Sequence, residues 1–249
     1  GEVVTEVYKQ VHDKIKEQHQ SGMICSGEQS IFFYQLQASD KPAIDALATS
    51  LREFENGTLT ISNHGIAFNK NVPGQNYDCV QEEPDNFVMI EKSGLKNQLH
   101  IIGGGHCALA LSQIMRMQDF YIKLYETRED LSTVIANRYV HESIMLNDYS
   151  ELLNLLPEGE NIYVPVMTFG YRTDDVAFRA IMHKKVKYIG ILGSLKKMEK
   201  MFESYRQEQL DENFLKVVRT PIGLPIKSET PAEIAVSIAA EIIGIKNKN

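Results

Sequence analysis

The stretch Leu99-His100-Ile101-Ile102-Gly103-Gly104-Gly105-His106-Cys107-Ala108 carries the plainest chemical signal in the chain. An apolar strand runs into three glycines and then into a helix, and the spacing fits the dinucleotide fingerprint G-x-G-x-x-A. Glycine at 103 permits the tight turn, glycine at 105 lets the backbone approach a pyrophosphate, and Ala108 lets helix and strand pack closely. Amides at the start of such a helix face an anion. The fingerprint also wants an acid about 20 residues further on, to bond a ribose hydroxyl. Glu126 ends the next strand, 23 residues after Gly103. His106 stands at the helix start, where it could touch a ligand, cap or pack. The same turn without a ligand would be a tight strand-to-helix connection.

Two further stretches end strands in polar residues, and a third is a loop. Val164-Pro165-Val166-Met167-Thr168-Phe169-Gly170-Tyr171-Arg172-Thr173-Asp174 places Thr168 and Asp174 at the carboxyl edge of a sheet, where ligands of open α/β sheets bind. Both could instead cap the helix that follows. Tyr188-Ile189-Gly190-Ile191-Leu192-Gly193-Ser194-Leu195-Lys196-Lys197 ends in Gly193 and Ser194, which can offer amides and a hydroxyl to an anion, with Lys197 adding charge; plain N-capping by Ser194 is the alternative. Arg219-Thr220-Pro221-Ile222-Gly223-Leu224-Pro225-Ile226 is a rigid loop before the last helix, able to line a pocket or only to pack. Cys25, in the Gly-flanked turn Ser21–Gly27, could ligate a soft centre or a sulfur carrier. Cys107 reads as a buried helix face. No Ser/His/Asp set is readable, and the seven histidines form no metal-spaced cluster.

The elements that must position these residues follow from patterning. Residues 2–19 have Val4, Val7, Val11 and Ile15 at helical spacing, which predicts an amphipathic helix. Ile31 to Leu36 predicts a strand, Pro42 to Phe54 a helix, and 58–62 with 66–69 a hairpin about Asn63-His64-Gly65. Residues 71–84 are polar and turn-rich, and 87–91 predicts a strand. A boundary near 96 separates a smaller α+β domain (1–96) from a Rossmann-like domain (97–249). In the second, strands at 98–102, 121–126, 162–168 and 188–192 alternate with helices at 106–117, 150–156, 174–183 and 196–207. That predicts an α/β fold with a mostly parallel sheet covered on both faces. Thr230, Pro231 and Glu233 mark the last helix with a capping box.

Composition limits the class. The 249 residues are 43% hydrophobic and 24% charged, ordinary for a globular protein. A formal charge of -7 with scattered Lys and Arg argues against nucleic acid as the main partner. Three widely spaced cysteines with no CxxC argue against a disulfide framework or zinc knuckle. No signal peptide or apolar run of about 18 residues is readable, so the expected compartment is the cytoplasm, with no membrane partner.

These motifs, in this order, resemble the XdhC/CoxI family, accessory proteins of molybdenum hydroxylases. Gly103–His106 looks like its G-x-G-H, and Glu126-Thr127-Arg128 its D-x-R. Thr168 to Asp174 has the spacing of T-H-x-H-x-x-D, with Phe169 and Tyr171 in place of the histidines. Tyr188–Ser194 resembles Y-I-G-x-x-G-S, and Pro221–Leu224 with Thr230–Ala235 resembles P-I-G-L and T-P-x-E-I-A. Cys25-Ser26-Gly27 weakly resembles C-G-G. The resemblance covers about residues 99–245. It implies a cofactor-binding maturation factor that holds molybdenum cofactor (molybdopterin), assists its sulfuration and passes it to a xanthine-dehydrogenase-like enzyme. It also implies a homodimer that could work with a cysteine desulfurase. On that reading the binding residues are Cys25, Gly103, Gly105, His106, Glu126, Arg128, Thr168, Asp174, Gly193 and Ser194. An NAD(P)-dependent oxidoreductase built on Gly103, Gly105, Glu126 and Ser194 is the alternative, and an interaction module with purely structural turns a third.

Overall fold

The computed structural model describes residues 5–12, 27–53, 55–70, 77–83, 86–94, 97–210, 215 and 217–248. The chain divides into two compact units, Gly1–Gly94 and Leu95–Asn249.

In the first unit, β1 (Thr5–His12) pairs antiparallel with β2 (Gly27–Tyr34). The helix expected over residues 2–19 is therefore a strand in its described part. The reason lies in parity. Val7 and Val11 are four apart, an even spacing that a strand accommodates as well as a helix, and Thr, Val and Tyr suit a pleated ladder. Then come α1 (Lys41–Arg52), β3 (Gly57–Ser62), β4 (Gly65–Asn69), β5 (Tyr77–Glu83) and β6 (Asn86–Ser93). The last four form an antiparallel sheet in the order β4-β3-β6-β5. Ser62 pairs with Gly65 across a two-residue turn, the hairpin its sequence calls for. Strand β5 occupies part of the stretch that reads as turns. Its Tyr-Asp-Cys-Val-Gln alternation is short, and it is held by pairing with β6 rather than by local preference.

The second unit runs β7 (Asn97–Ile102), α2 (His106–Arg116), β8 (Phe120–Glu126), α3 (Ser132–Ile135), β9 (Glu142–Met145), α4 (Leu152–Leu155), β10 (Gly159–Val166), α5 (Tyr171–Ile181), β11 (Val186–Ile191), α6 (Leu195–Gln207) and α7 (Pro231–Lys246). Its five strands are all parallel, in the order β11-β10-β7-β8-β9. Alternate residues of the central strands feed two cores. Leu99 and Ile101 of β7 pack with Leu111 and Met115 of α2 and Ile238 and Ile242 of α7. Ile162, Val164 and Val166 of β10 pack with Phe178 of α5 and Met198 and Tyr205 of α6. Each such side chain, removed from water, contributes about 1.5–3 kcal/mol. The fold is thus α/β, with a parallel sheet between helices.

Local capping agrees with the sequence. Thr230 Oγ1 accepts from the Glu233 amide at 3.2 Å, and Glu233 accepts from the Thr230 amide at 2.9 Å. Residues 150–156, expected as one helix, are a 3₁₀ turn at Tyr149–Glu151 followed by the single turn α4. No helix among the described residues is long and apolar enough to cross a membrane.

The chain lays β8 and β9 on one side of β7, then returns to place β10 and β11 on the other. That reversal is a switch point, and the crevice beyond the carboxyl ends of β7 and β10 is where such sheets take ligands.

Candidate functional site

The glycine turn lies at this crevice. Gly103 has φ +99°, and its amide bonds the Tyr125 carbonyl at 2.8 Å. A Cβ there would stand 2.5 Å from the Met167 carbonyl oxygen, at the end of β10. Both the left-handed backbone and the close approach require glycine. Gly104 is buried; a Cβ on it would strike Val134 at 2.3 Å. Gly105 differs. It is the N-cap of α2, with no side-chain cap and φ -70°, and a Cβ on it would meet nothing within 4 Å. Open space in front of an uncapped helix start suits an anion approaching the backbone. His106, the first residue of α2, is exposed beside it.

A clean separation follows. Gly103→Ala is expected to destabilise the protein by about 2–4 kcal/mol, from strain and the carbonyl clash. Gly105→Ala should leave the melting temperature within about 2 °C, since surface changes away from special geometry cost little. Thermal denaturation of the two variants checks this, and equal losses would refute the distinction.

Glu126, expected to face a ribose, is 1% exposed. Its Oε2 accepts from the Gly104 amide at 2.7 Å and from Arg128 Nη2 at 2.7 Å. Its Oε1 accepts from the Thr127 amide at 2.8 Å, Arg128 Nε at 3.0 Å and the Tyr149 hydroxyl at 3.0 Å. Burial alone would raise its pKa; the Arg128 guanidinium and the Gly104 and Thr127 amides outweigh that and hold the carboxyl at about 2. The geometry gives Glu126 the task of fixing the turn. Thr133, whose hydroxyl bonds the Gly104 carbonyl, holds the other side. Arg128 keeps an exposed face and stacks its guanidinium 4.6 Å from the centre of the Phe169 ring.

Asp174 is fully buried on the first turn of α5. Its Oδ1 accepts from the Thr168 amide at 2.9 Å and hydroxyl at 2.6 Å, and its Oδ2 pairs with the Lys197 ammonium of α6. Lys197 also bonds the Leu192 carbonyl at 3.2 Å. Thr168, Asp174 and Lys197 thus lock the loops after β10 and β11 together, and the lysine's charge is neutralised within the protein. Ser194 caps α6, its hydroxyl accepting from the Lys197 amide at 3.3 Å. A Cβ on Gly193 would stand 2.9 Å from the distal carbons of the Lys197 and Met198 side chains, which are flexible enough to move aside. The Arg219–Leu224 loop hydrogen-bonds along the edge of β11. Gly223, at φ +96°, gives its amide to Glu241 of α7 at 3.0 Å, and Glu241 also accepts from Tyr188 at 2.6 Å.

The second unit therefore gathers Gly103, Gly105, His106, Glu126, Arg128, Thr168, Asp174, Gly193 and Ser194 at the carboxyl ends of β7, β8, β10 and β11. Cys25 lies outside the described residues. Sequence reading missed Tyr149 and Thr133, which come from elements without a recognisable motif, and Phe169, noticed only as a departure. It missed His100 as well. This fully buried histidine bonds Tyr125 at 2.9 Å and Gln98 at 3.1 Å, and burial lowers its pKa to about 4. Cys107, half-buried against the α2 core, has its thiol pushed up by burial. Among the described residues no cluster of three or more His, Cys, Asp or Glu is placed to hold a metal.

A family model described as the XdhC Rossmann domain matches residues 99–242. The chain belongs to the XdhC family. Its XdhC domain begins in β7 and ends in α7, so it contains every part of the crevice. The uncharacterized protein YqeB of Escherichia coli strain K12 is 27% identical over 166 residues, 64% of this chain and 29% of that protein. The chain therefore spans less than a third of that curated relative's length. The crystal structure of a xanthine dehydrogenase from Bacillus halodurans matches with a TM-score of 0.73 at 19% identity, over 100% of this chain and 77% of that one. This likeness shows a shared fold.

Proposed function

We propose that this XdhC-family protein is a maturation factor that binds molybdenum cofactor, assists its sulfuration and hands it to a molybdenum hydroxylase of the xanthine-dehydrogenase kind. Its Rossmann unit binds a nucleotide or the phosphate-bearing part of the cofactor. The observation that carries this reading is the open cradle at Gly105, at a switch point and an uncapped helix start. Such a cradle fits a phosphate, which both nucleotides and molybdopterin carry. Gly105, the first amides of α2 and the His106 imidazole would hold that phosphate; Cys25 is proposed as a cofactor contact on the family resemblance of its Cys25-Ser26-Gly27 segment. Bound there, the cofactor is the redox centre its client needs; the chain's part is to hold it and exclude water.

The two buried carboxylates near the turn, Glu126 and Asp174, are both ion-paired. Both carboxylates are thus engaged in holding the loops of the crevice, a part that suits a binding site. The partners proposed with this role are the client hydroxylase, a cysteine desulfurase and a second copy of the chain, in the cytoplasm.

Mass spectrometry of native protein should find molybdopterin or a nucleotide co-purified. Cys25→Ala should lower molybdenum per chain to well under half while the fold persists. If neither ligand co-purifies or binds on addition, the reading fails; if Cys25→Ala retains full molybdenum, Cys25 leaves the site.

A further inference from the structure

Glu126 and Arg128 occupy the place where dinucleotide-binding domains recognise a ribose, on the loop after the second strand and beside the glycine turn. A free carboxylate there accepts from ribose hydroxyls. An ionised carboxylate offers about four lone-pair sites. Donors from Gly104, Thr127, Tyr149 and two nitrogens of Arg128 already fill those of Glu126. A ribose hydroxyl would have to displace one of them from a buried site.

Arg128 offers the opposite chemistry. A guanidinium has donors on three nitrogens. Glu126 engages Nε and Nη2, and among the described residues Nη1 has no acceptor. The side chain is 36% exposed. It is fixed from two directions, by the carboxylate below and by the Phe169 ring, itself 63% exposed at the end of β10. What faces solvent beside the turn is therefore the remaining donor edge of a guanidinium, held rigid by its carboxylate partner, on an aromatic plate. A phosphate monoester matches the cation with charge-assisted bonds. A nucleobase matches the plate and the flat guanidinium by stacking.

We infer that the ribose subsite selects a nucleotide whose ribose bears a phosphate monoester, with Arg128 binding that phosphate and Phe169 supporting the base. This rests on the reading that the Gly103–Gly105 turn binds a nucleotide. The ester could sit on either ribose oxygen, as in NADP+ or in coenzyme A.

The full chain should be titrated by calorimetry with NADP+ and NAD+, and with coenzyme A and dephospho-coenzyme A. In at least one pair the phosphorylated member should bind about tenfold tighter or more; the pair that shows it tells the two positions apart. Arg128→Ala should erase that ratio. Phe169→Ala should weaken both members of the pair, while a preference for the phosphorylated member persists because Glu126 still holds Arg128. The wild-type ratio is decisive even where a variant folds poorly. Equal affinities, or a preference for the unphosphorylated members, overturn the inference while the nucleotide reading stands. Binding of none of the four overturns the inference and leaves the turn to the phosphate of molybdopterin, which the co-purification experiment tests separately.

Discussion

Lys197→Ala is expected to cost about 3–5 kcal/mol of folding free energy, because it strips the partner from a buried charge. Asp174 is 0% exposed, while the Lys197 side chain retains 24% exposure. Without the ammonium, one carboxylate oxygen keeps the Thr168 amide and hydroxyl, and the other loses its ion-pair partner. The asymmetry of burial makes a second expectation. Asp174→Asn should cost less, because the freed lysine can reach water along its flexible stem. The double variant Asp174→Asn, Lys197→Met, with no charge left, should recover part of the loss. In a chain of this size the single lysine change corresponds to a fall in melting temperature of roughly 10 °C. Lys41→Ala is the control: that side chain and Asp45 form an ion pair at 74% and 63% exposure, worth at most about 0.5 kcal/mol. Chemical denaturation of the four variants decides. A Lys197→Ala loss no larger than the control's would mean the pair does not hold the two loops.

The pair also shows where sequence reading stops. Asp174 and Lys197 each have a plausible local part, a helix start and a spare charge, and they stand 23 residues apart. Their union depends on β10 and β11 being neighbours, which no local pattern states. The same holds for Glu126. Arg128 lies two residues away and is readable as a motif, but the Gly104 amide and the Tyr149 hydroxyl arrive from 22 and 23 residues' distance. These two help turn a candidate ribose ligand into a bracket for the glycine turn. By contrast, the Thr230–Glu233 box and the Gly103 turn are legible because their physics is local: a capping box lies within four residues, and a left-handed turn needs a glycine. The stretch around Val7 and Val11 is misleading for an equally local reason, since even spacing serves both periods. Strand β9 has no apolar run to announce it; it is an edge strand of four residues, held by pairing with β8.

The stability conferred by Glu126 should fall away in acid. Its carboxyl ordinarily titrates near 4.5 and is held at about 2 in the folded protein. A lowered folded pKa means the ionised form is favoured by folding, so the contribution is complete above about 4.5 and disappears as pH drops through 2. Its size is of order 3 kcal/mol, at 1.36 kcal/mol for each unit of lowering. Glu126→Gln places an amide where the site offers only donors: the Gly104 and Thr127 amides, the Arg128 guanidinium and the Tyr149 hydroxyl. At pH 7 the variant should be less stable than the parent by about that amount, and the gap should narrow steadily between pH 5 and 2. A gap of constant size across that range would show that the carboxylate's charge does no stabilising. If the turn binds a nucleotide as proposed, Glu126→Gln should also weaken that binding, although Glu126 reserves no lone pair for the ligand, because its Oε2 fixes the Gly104 amide and Arg128 at once. Binding that survives intact in a destabilised variant would separate the turn's strength from its shape, and would leave Gly103 and Thr133 to set the path of the backbone toward Gly105.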